Sequence, residues 1–333
     1  MKIKATEKMR KLLKTSGNSN PDIALAAFRE IVKALQTPLR QGVLDGDIIG
    51  GLFEVEELPP GHGSTVEYPL DFIAPGTEKD YVAYTLPNHG AIPHQTVEGD
   101  YVMIPTYDIG AALDWNLKYA KNARWGVVER AYNVLRSQFV KKMNDDGFHT
   151  IITAGVDRNL VVADSDAAAG QFTKRLVSLT KTVMRRNGGG NSSSVNRGKL
   201  TDLCVSPEAV EDIRNWNVDQ VDEITRREIY VAEDGTLNRV FQVNLRDLDE
   251  LGEGQEYNKF YTNTLSASIP TGDVEIGVGL DLSKGDTFVM PVQEELEIYE
   301  DSNLHRQRMQ GIYGWQTQGF GVLDNRRVVL VSM

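Results

Sequence analysis

The chain has 333 residues, a single cysteine and a formal net charge of −11. That length can bury a substantial core without help from disulfides or metal, and the lone Cys204 excludes an internal disulfide framework, which fits a reducing compartment. No run approaches the roughly eighteen apolar residues of a membrane span, and the basic N-terminus lacks the apolar core and cleavage site of a secretory signal.

The charge is unevenly placed. In the first fourteen residues Lys2, Lys4, Lys8, Arg10, Lys11 and Lys14 stand against Glu7 alone, a net of +5 that leaves −16 for the rest. A basic tip on an acidic body points to a segment that meets something anionic. The blander reading is a solvated, partly disordered terminus. Asn20-Pro21 is a helix start, and Ile23, Ala27, Ile31 and Leu35 recur every four residues until Thr37-Pro38, where the spacing predicts an end. Residues 42–63 read as a Gly-, Pro- and Glu-rich connector.

Residues 62–106 alternate short β-prone runs with turns. Val66–Leu70, Tyr81–Leu86 and Asp100–Pro105 are separated by Pro75-Gly76 and Pro87-Asn88-His89-Gly90. A two- or three-stranded arm of this kind is marginal alone in water, and its open edges invite another chain. A long amphipathic helix is predicted next, over about 108–146, with Val128, Tyr132, Leu135 and Phe139 on one face and Asp145-Asp146-Gly147 as its stop. At about 1.5 Å per residue it would span about 58 Å. Strands are expected at His149–Thr153 and Asn159–Ala163, then a helix over about 166–186 with Phe172, Leu176, Leu179 and Val183 inward. A flexible Gly- and Ser-rich loop follows at 187–194. Further on, Leu203-Cys204-Val205 reads as a buried strand and Ser206-Pro207-Glu208 as a helix start. Glu228–Ala232 and Arg239–Leu245 read as strands around a turn. The last third is mostly β, at 274–282, 287–298 and 326–332, with a polar segment at 300–310.

Motifs for chemistry fail on inspection. Asn196-Arg197-Gly198-Lys199-Leu200 has Ser193 where a phosphate loop needs Gly, and Leu200 where it needs Ser or Thr. His62, His89 and His94 sit in loops with no cysteine near, so ordinary loop histidines are the better reading. The acidic groups at Glu54/Glu56/Glu57, Asp247/Asp249/Glu250 and Glu294/Glu295/Glu297 lack the pattern of a calcium loop and read as solvated faces or intersubunit ion pairs. Trp115, Trp125, Trp216 and Trp315 are dispersed, as core or interface residues are. Cys204, in an apolar strand, reads as inert. No cofactor or metal is expected.

The order of parts resembles the major capsid proteins of tailed double-stranded DNA phages, with the HK97-type fold, from about residue 40 to 333. The Val97–Pro105 strand leading into Tyr107-Asp108-Ile109 and the long helix is similar to the family's extended loop (E-loop) meeting its spine helix. The 166–186 helix, the Gly-rich loop and Leu203–Glu208 are similar to the entry to its axial domain. Glu297–Asp301 and Gly319–Val329 resemble its closing peripheral strands. The resemblance implies an α+β, HK97-like fold divided as follows: an N-terminal arm over 1–61, the E-loop over 62–106, a peripheral domain over 107–200, an axial domain over about 201–285, and strands of 286–333 returning to the peripheral domain.

The function so implied is a structural, non-enzymatic shell subunit. Its copies would form hexamers and pentamers of an icosahedral head around double-stranded DNA, in a virion assembled in the host cytoplasm. Portal, scaffold and decoration proteins would be further partners, DNA would be met by non-specific proximity, and no membrane is implied. Lys79, Tyr81, Tyr84 and Tyr101 are the intersubunit contact candidates, and the six N-terminal cations are candidates for contact with DNA, scaffold or a neighbour. Some members cross-link Lys to Asn. Here Lys79 is the arm-tip lysine and Asn325 is one available asparagine, although Lys79 reads more simply as an edge-protecting charge. Two other readings remain open: an encapsulin-like compartment, and a two-domain α/β enzyme with an unrecognised site.

Overall fold

The computed structural model describes residues 6–46, 48–59, 63–70, 100–187, 198–216, 239–270, 272–283, 285 and 287–333. The elements run α1 (Glu7–Ser16), α2 (Pro21–Gly46), β1 (Glu54–Glu57), β2 (Thr65–Leu70), β3 (Asp100–Pro105), β4 (Tyr107–Asn116), α3 (Leu117–Lys121) and α4 (Trp125–Asp157). They continue as β5 (Val161–Val162), α5 (Lys174–Asn187), β6 (Asp202–Val205), α6 (Pro207–Asn215), β7 (Arg239–Val240), β8 (Val243–Asp247) and β9 (Ile276–Leu280). The last are β10 (Phe288–Glu300), β11 (Met309–Gln318), β12 (Gly321–Val322) and β13 (Val328–Ser332). The chain folds into two compact units. The first comprises residues up to Val66 with Ile104–Gly147 and Val289–Gly321, and the second comprises Glu67–Met103, Phe148–Phe288 and Val322–Met333.

In the first unit the sheet order is β1-β10-β11-β4, with β1 parallel to β10 and the other pairs antiparallel. Helices α1, α2 and α4 share its apolar core. Phe28, Ile31, Leu35 and Leu39 of α2 meet Val128, Tyr132, Leu135 and Phe139 of α4, with Ile109, Trp115, Ile298 and Ile312 from the sheet. The terminus is not a loose tail from residue 7 onward. Thr6 caps α1 by accepting from the Met9 N–H, and Leu13 is fully buried in the common core.

Helix α2 runs through Pro38 instead of ending there. Proline removes one helical hydrogen bond, a cost of about 3 kcal/mol in a helix interior. The apolar stripe continues past it at Leu39 and Val43, both buried, and that packing outweighs the local loss. The expected helix start at 108 is also corrected: Tyr107–Asn116 is a strand. Its apolar residues alternate, with Ile109 and Trp115 buried and Ala111 and Leu113 packed against the core. That is the two-residue period of a half-buried strand.

Helix α4 does not stop at Gly147, and His149–Thr153 is helix, not strand. A Cβ at Gly147 would lie 2.7 Å from the Ile49 side chain, so the glycine serves close packing inside the helix rather than ending it. Beyond it, Phe148, Ile151 and Ile152 are buried at helical spacing.

In the second unit the sheet order is β5-β13-β9-β6-β8-β7. Strands β6, β9 and β13 are buried at every position, as central strands covered on both faces are. Leu176, Val177 and Met184 of α5 and Val210 and Ile213 of α6 belong to the same core as Leu203, Val205, Val329 and Val331. The expected strand at 159–163 is two residues long, and the helix expected from 166 begins at Lys174. Before it, Thr173 Oγ1 donates to Asp164 and accepts from the Leu176 N–H, which fixes the helix start. Arg239–Leu245 is a hairpin, β7 to β8, whose turn residues Phe241 and Gln242 both have positive φ. The strand expected at 228–232 and the Gly-rich loop lie outside the described residues. Met309–Gln318, part of which read as a polar segment, is a ten-residue strand.

Cys204 is fully buried in β6, and burial pushes its thiol up to about 12, which agrees with an inert side chain. Buried Glu275 accepts from Ser206, the N-cap of α6, at 3.1 Å. Burial raises its pKa, with Glu208 and Asp212 adding to the rise, so its ionised form is disfavoured in the folded state. A raised folded pKa gives a contribution that is complete below the unfolded value, about 4.3, and lost as pH rises through the folded one. Glu275→Gln is therefore expected to raise stability at pH 8 by on the order of 1 kcal/mol and to have little effect near pH 4. Urea unfolding at the two pH values checks this; equal effects at both would refute it.

Candidate functional site

Strands β2 and β3 form a separate two-stranded sheet. Its root is buried at Val66 and Ile104, and Ile104 packs so tightly on Gly321 that a Cβ there would overlap it. The opposite face of β3 differs. Tyr101 and Met103, on one face of the strand, are 62% and 63% exposed, the highest values among the described large apolar residues. Alternation places them together. Of the sequence candidates, Tyr101 thus stands on an exposed apolar face. Lys79, Tyr81 and Tyr84 lie outside the described residues, as do His62, His89 and His94. Met103 was missed, although it sits two residues from Tyr101 in a strand.

Lys8, Arg10, Lys11 and Lys14 are exposed on α1, whose other face holds Leu13 in the core. Lys2 and Lys4 lie outside the described residues. Asn325 is partly exposed in the short turn of helix Asn325–Arg327, which Asp324 caps. Gly198, from the failed phosphate-loop match, is a packing glycine: a Cβ there would overlap the Met184 carbonyl oxygen.

The first unit's sheet has one face in the core and one outside it. On the outer face Tyr299, Tyr313 and Trp315 stack, with ring centroids 4.8–5.7 Å apart. Gly110 and Ala112 of β4 lie opposite Trp315 and Tyr313 and leave room for the rings. The Tyr299 hydroxyl donates to Glu297, and that bond raises the phenol pKa, with burial adding a little. At the edge, β1 is exposed at all four positions and carries Glu54, Glu56 and Glu57, charges that discourage edge pairing with an unrelated strand. Arg40 reaches from α2 to Glu295 and to the Leu296 carbonyl, and Arg29 to Glu300 at 2.6 Å. These pairs tie the helix to β10 and leave the aromatic face uncovered.

Among the described residues, no three His, Cys, Asp or Glu side chains converge as a metal site would need, and no helix is long and apolar enough to cross a membrane. No family model and no curated protein matches the sequence. Solved structures do match. A structure from Microbacterium phage Oxtober96 superposes with a TM-score of 0.58 at 9% identity, over 86% of this chain and 90% of that one. The capsid of an empty GTA particle gives 0.54 at 10% identity, over 86% and 90%. The mature capsid of bacteriophage PhiM1 gives 0.53 at 12% identity, over 86% of each chain. The chain has the HK97-like capsid fold. Mixed helix and sheet are thus present, as the sequence led one to expect, and the match covers 86% of the chain.

Proposed function

We propose that this chain is a structural, non-enzymatic shell subunit that assembles into hexamers and pentamers of an icosahedral phage head around double-stranded DNA. The observation that carries the reading is the exposed pair Tyr101 and Met103, on a two-stranded sheet too small to be stable unaided, within a capsid fold. An apolar face of this kind is covered when copies meet. The arm is the E-loop, with Lys79, Tyr81, Tyr84 and Tyr101 contacting a neighbour. The first compact unit corresponds to the peripheral domain and the second carries the axial domain. The cations Lys2, Lys4, Lys8, Arg10, Lys11 and Lys14 touch DNA, a scaffold protein or a neighbouring subunit. The acidic remainder supports a wall along which DNA slides, since a basic wall would bind phosphate tightly. Portal, scaffold and decoration proteins complete the particle, which is a virion assembled in the host cytoplasm.

Negative-stain microscopy and size analysis of the purified chain test this. Ring capsomers or closed shells are expected. A particle of one or two subunits, even with the scaffold protein present, refutes the shell reading and returns the two-domain enzyme. Shells that enclose enzyme cargo and never DNA select the encapsulin-like compartment instead.

A further inference from the structure

The second unit carries two surfaces of opposite charge. One is a groove of about 1050 Å³ along the exposed face of α5, lined by Lys174, Lys181, Arg185, Arg186 and Lys199 beside Phe241, with no carboxylate among the described lining residues. Lys181 donates to the Phe241 carbonyl oxygen at 2.7 Å, which fixes the cationic end of α5 beside the turn that precedes β8. Arg185, Arg186 and Lys199 make no ion pair with a described residue. The negative end of the helix dipole accounts for two cations in its last turn. It does not account for Lys199, which comes from the strand side of the groove. The nearby carboxylates of Asp281 and Asp202 are buried and already paired, with Arg327 and Arg246.

The other surface is the segment 247–256. Asp247, Asp249, Glu250, Glu253 and Glu256 give it five carboxylates and no cation in ten residues. Asp247, Asp249 and Glu253 are exposed, and none of the first four forms an ion pair with a described residue. Their position follows from topology. β6 and β8 are parallel. Phe241 and Lys199 precede those strands, whereas the acidic segment starts at the last residue of β8. The groove's cationic end and the acidic segment therefore lie at opposite ends of the same strand pair, separated by about 13 Å of strand at about 3.3 Å per residue.

We propose that the second unit joins copies head to tail, its basic groove receiving the acidic 247–256 segment of the next copy around a ring. Unlike surfaces at opposite ends of one body make a heterologous contact, which closes into a ring when the rotation per copy divides a full turn. Complementary charge fixes partner and register and penalises like-charged approaches. This inference rests on the shell reading and specifies which surfaces build its capsomers.

Charge reversal tests it. The paired substitutions R185E and R186E, or D249K and E250K, are made in the full chain, and the capsomer fraction is read by native mass spectrometry, with circular dichroism as the check on folding. Each pair is expected to cut the ring fraction by about tenfold or more. Combining all four should restore it to within about twofold of the wild type, because the interface is then rebuilt with its signs exchanged. Assembly of either pair at the wild-type level overturns the pairing while the shell reading stands. So does failure of the combined variant to recover when it is folded. If R185E and R186E abolish binding to double-stranded DNA and leave rings intact, the groove serves phosphate and the inference fails. A wild-type chain that never assembles overturns both readings.

Discussion

Replacing Arg327 with methionine is expected to lower the unfolding free energy by about 3–5 kcal/mol, because it strands a buried carboxylate. Arg327 and Asp281 are 4% and 0% exposed and paired within the second unit, with Asp324 also 3.7 Å from the guanidinium. Burial alone would raise the pKa of Asp281. The hydrogen bonds from Ser283, the Lys199 N–H and Arg327 outweigh it and hold the group below its ordinary value. A depressed folded pKa contributes stability that is present above the unfolded value, about 3.9, and lost as pH falls through the folded one. Wild-type protein should therefore lose this contribution only below about pH 4. The R327M variant should show its deficit in full at pH 7 and a smaller one at pH 2–3. Denaturant unfolding at both pH values measures it. A neutral-pH deficit below about 1 kcal/mol would show the pair to be dispensable. Adding Asp281→Leu should recover much of the loss, since removing both charges removes the desolvation cost as well.

The second large effect falls on assembly rather than folding. Tyr101→Asp with Met103→Asp is expected to leave subunit stability within about 0.5 kcal/mol, because both positions are largely exposed. The same change should abolish closed shells, because it buries two carboxylates in what the proposed function makes an apolar contact. Thermal unfolding and microscopy on one preparation separate the two effects. Normal shells from a folded double variant would remove β3 from the interface. A chain that fails to fold would show that its exposed face stabilises the subunit itself. Val66 and Ile104 provide the contrast, since truncating either should cost stability directly through lost burial.

The sequence was most legible where period and burial agree. Val128, Tyr132, Leu135 and Phe139 announced α4, and of the α2 stripe Ala27, Ile31 and Leu35 are buried, whereas Ile23, in the first turn of the helix, is 46% exposed. Leu203-Cys204-Val205 and Ser206-Pro207 gave a strand and a capped helix, both present. Errors came where local signals opposed packing. Pro38 and Gly147 are helix breakers in isolation, yet each sits within a helix whose apolar stripe continues across it. His149–Thr153 is rich in β-branched residues, and only the spacing of Phe148, Ile151 and Ile152 reveals the helical face. β11 was missed because Gly311, Gly314 and three glutamines dilute its apolar content. Its register against β4 and β10, with aromatic rings outside and Ile312 inside, depends on partners far away in the chain.

The sequence by itself pointed to the fold and to a reading of what it is for. An acidic chain with a basic tip, one inert cysteine, no intact catalytic motif and a β arm without its own core could be read as an assembling subunit, because periodicity and turn chemistry are local. Tertiary structure alone decided which surfaces remain to be covered. Exposure of Tyr101 and Met103, the stacked rings of Tyr299, Tyr313 and Trp315, and the opposed charges at the two ends of β6 and β8 all depend on strand order and register. Those are fixed by contacts between residues more than two hundred positions apart, such as Asp108 with Thr317 and Glu54 with Val289. Burial is a property of the whole fold, so no local pattern could have shown which apolar and charged groups it would leave unmatched.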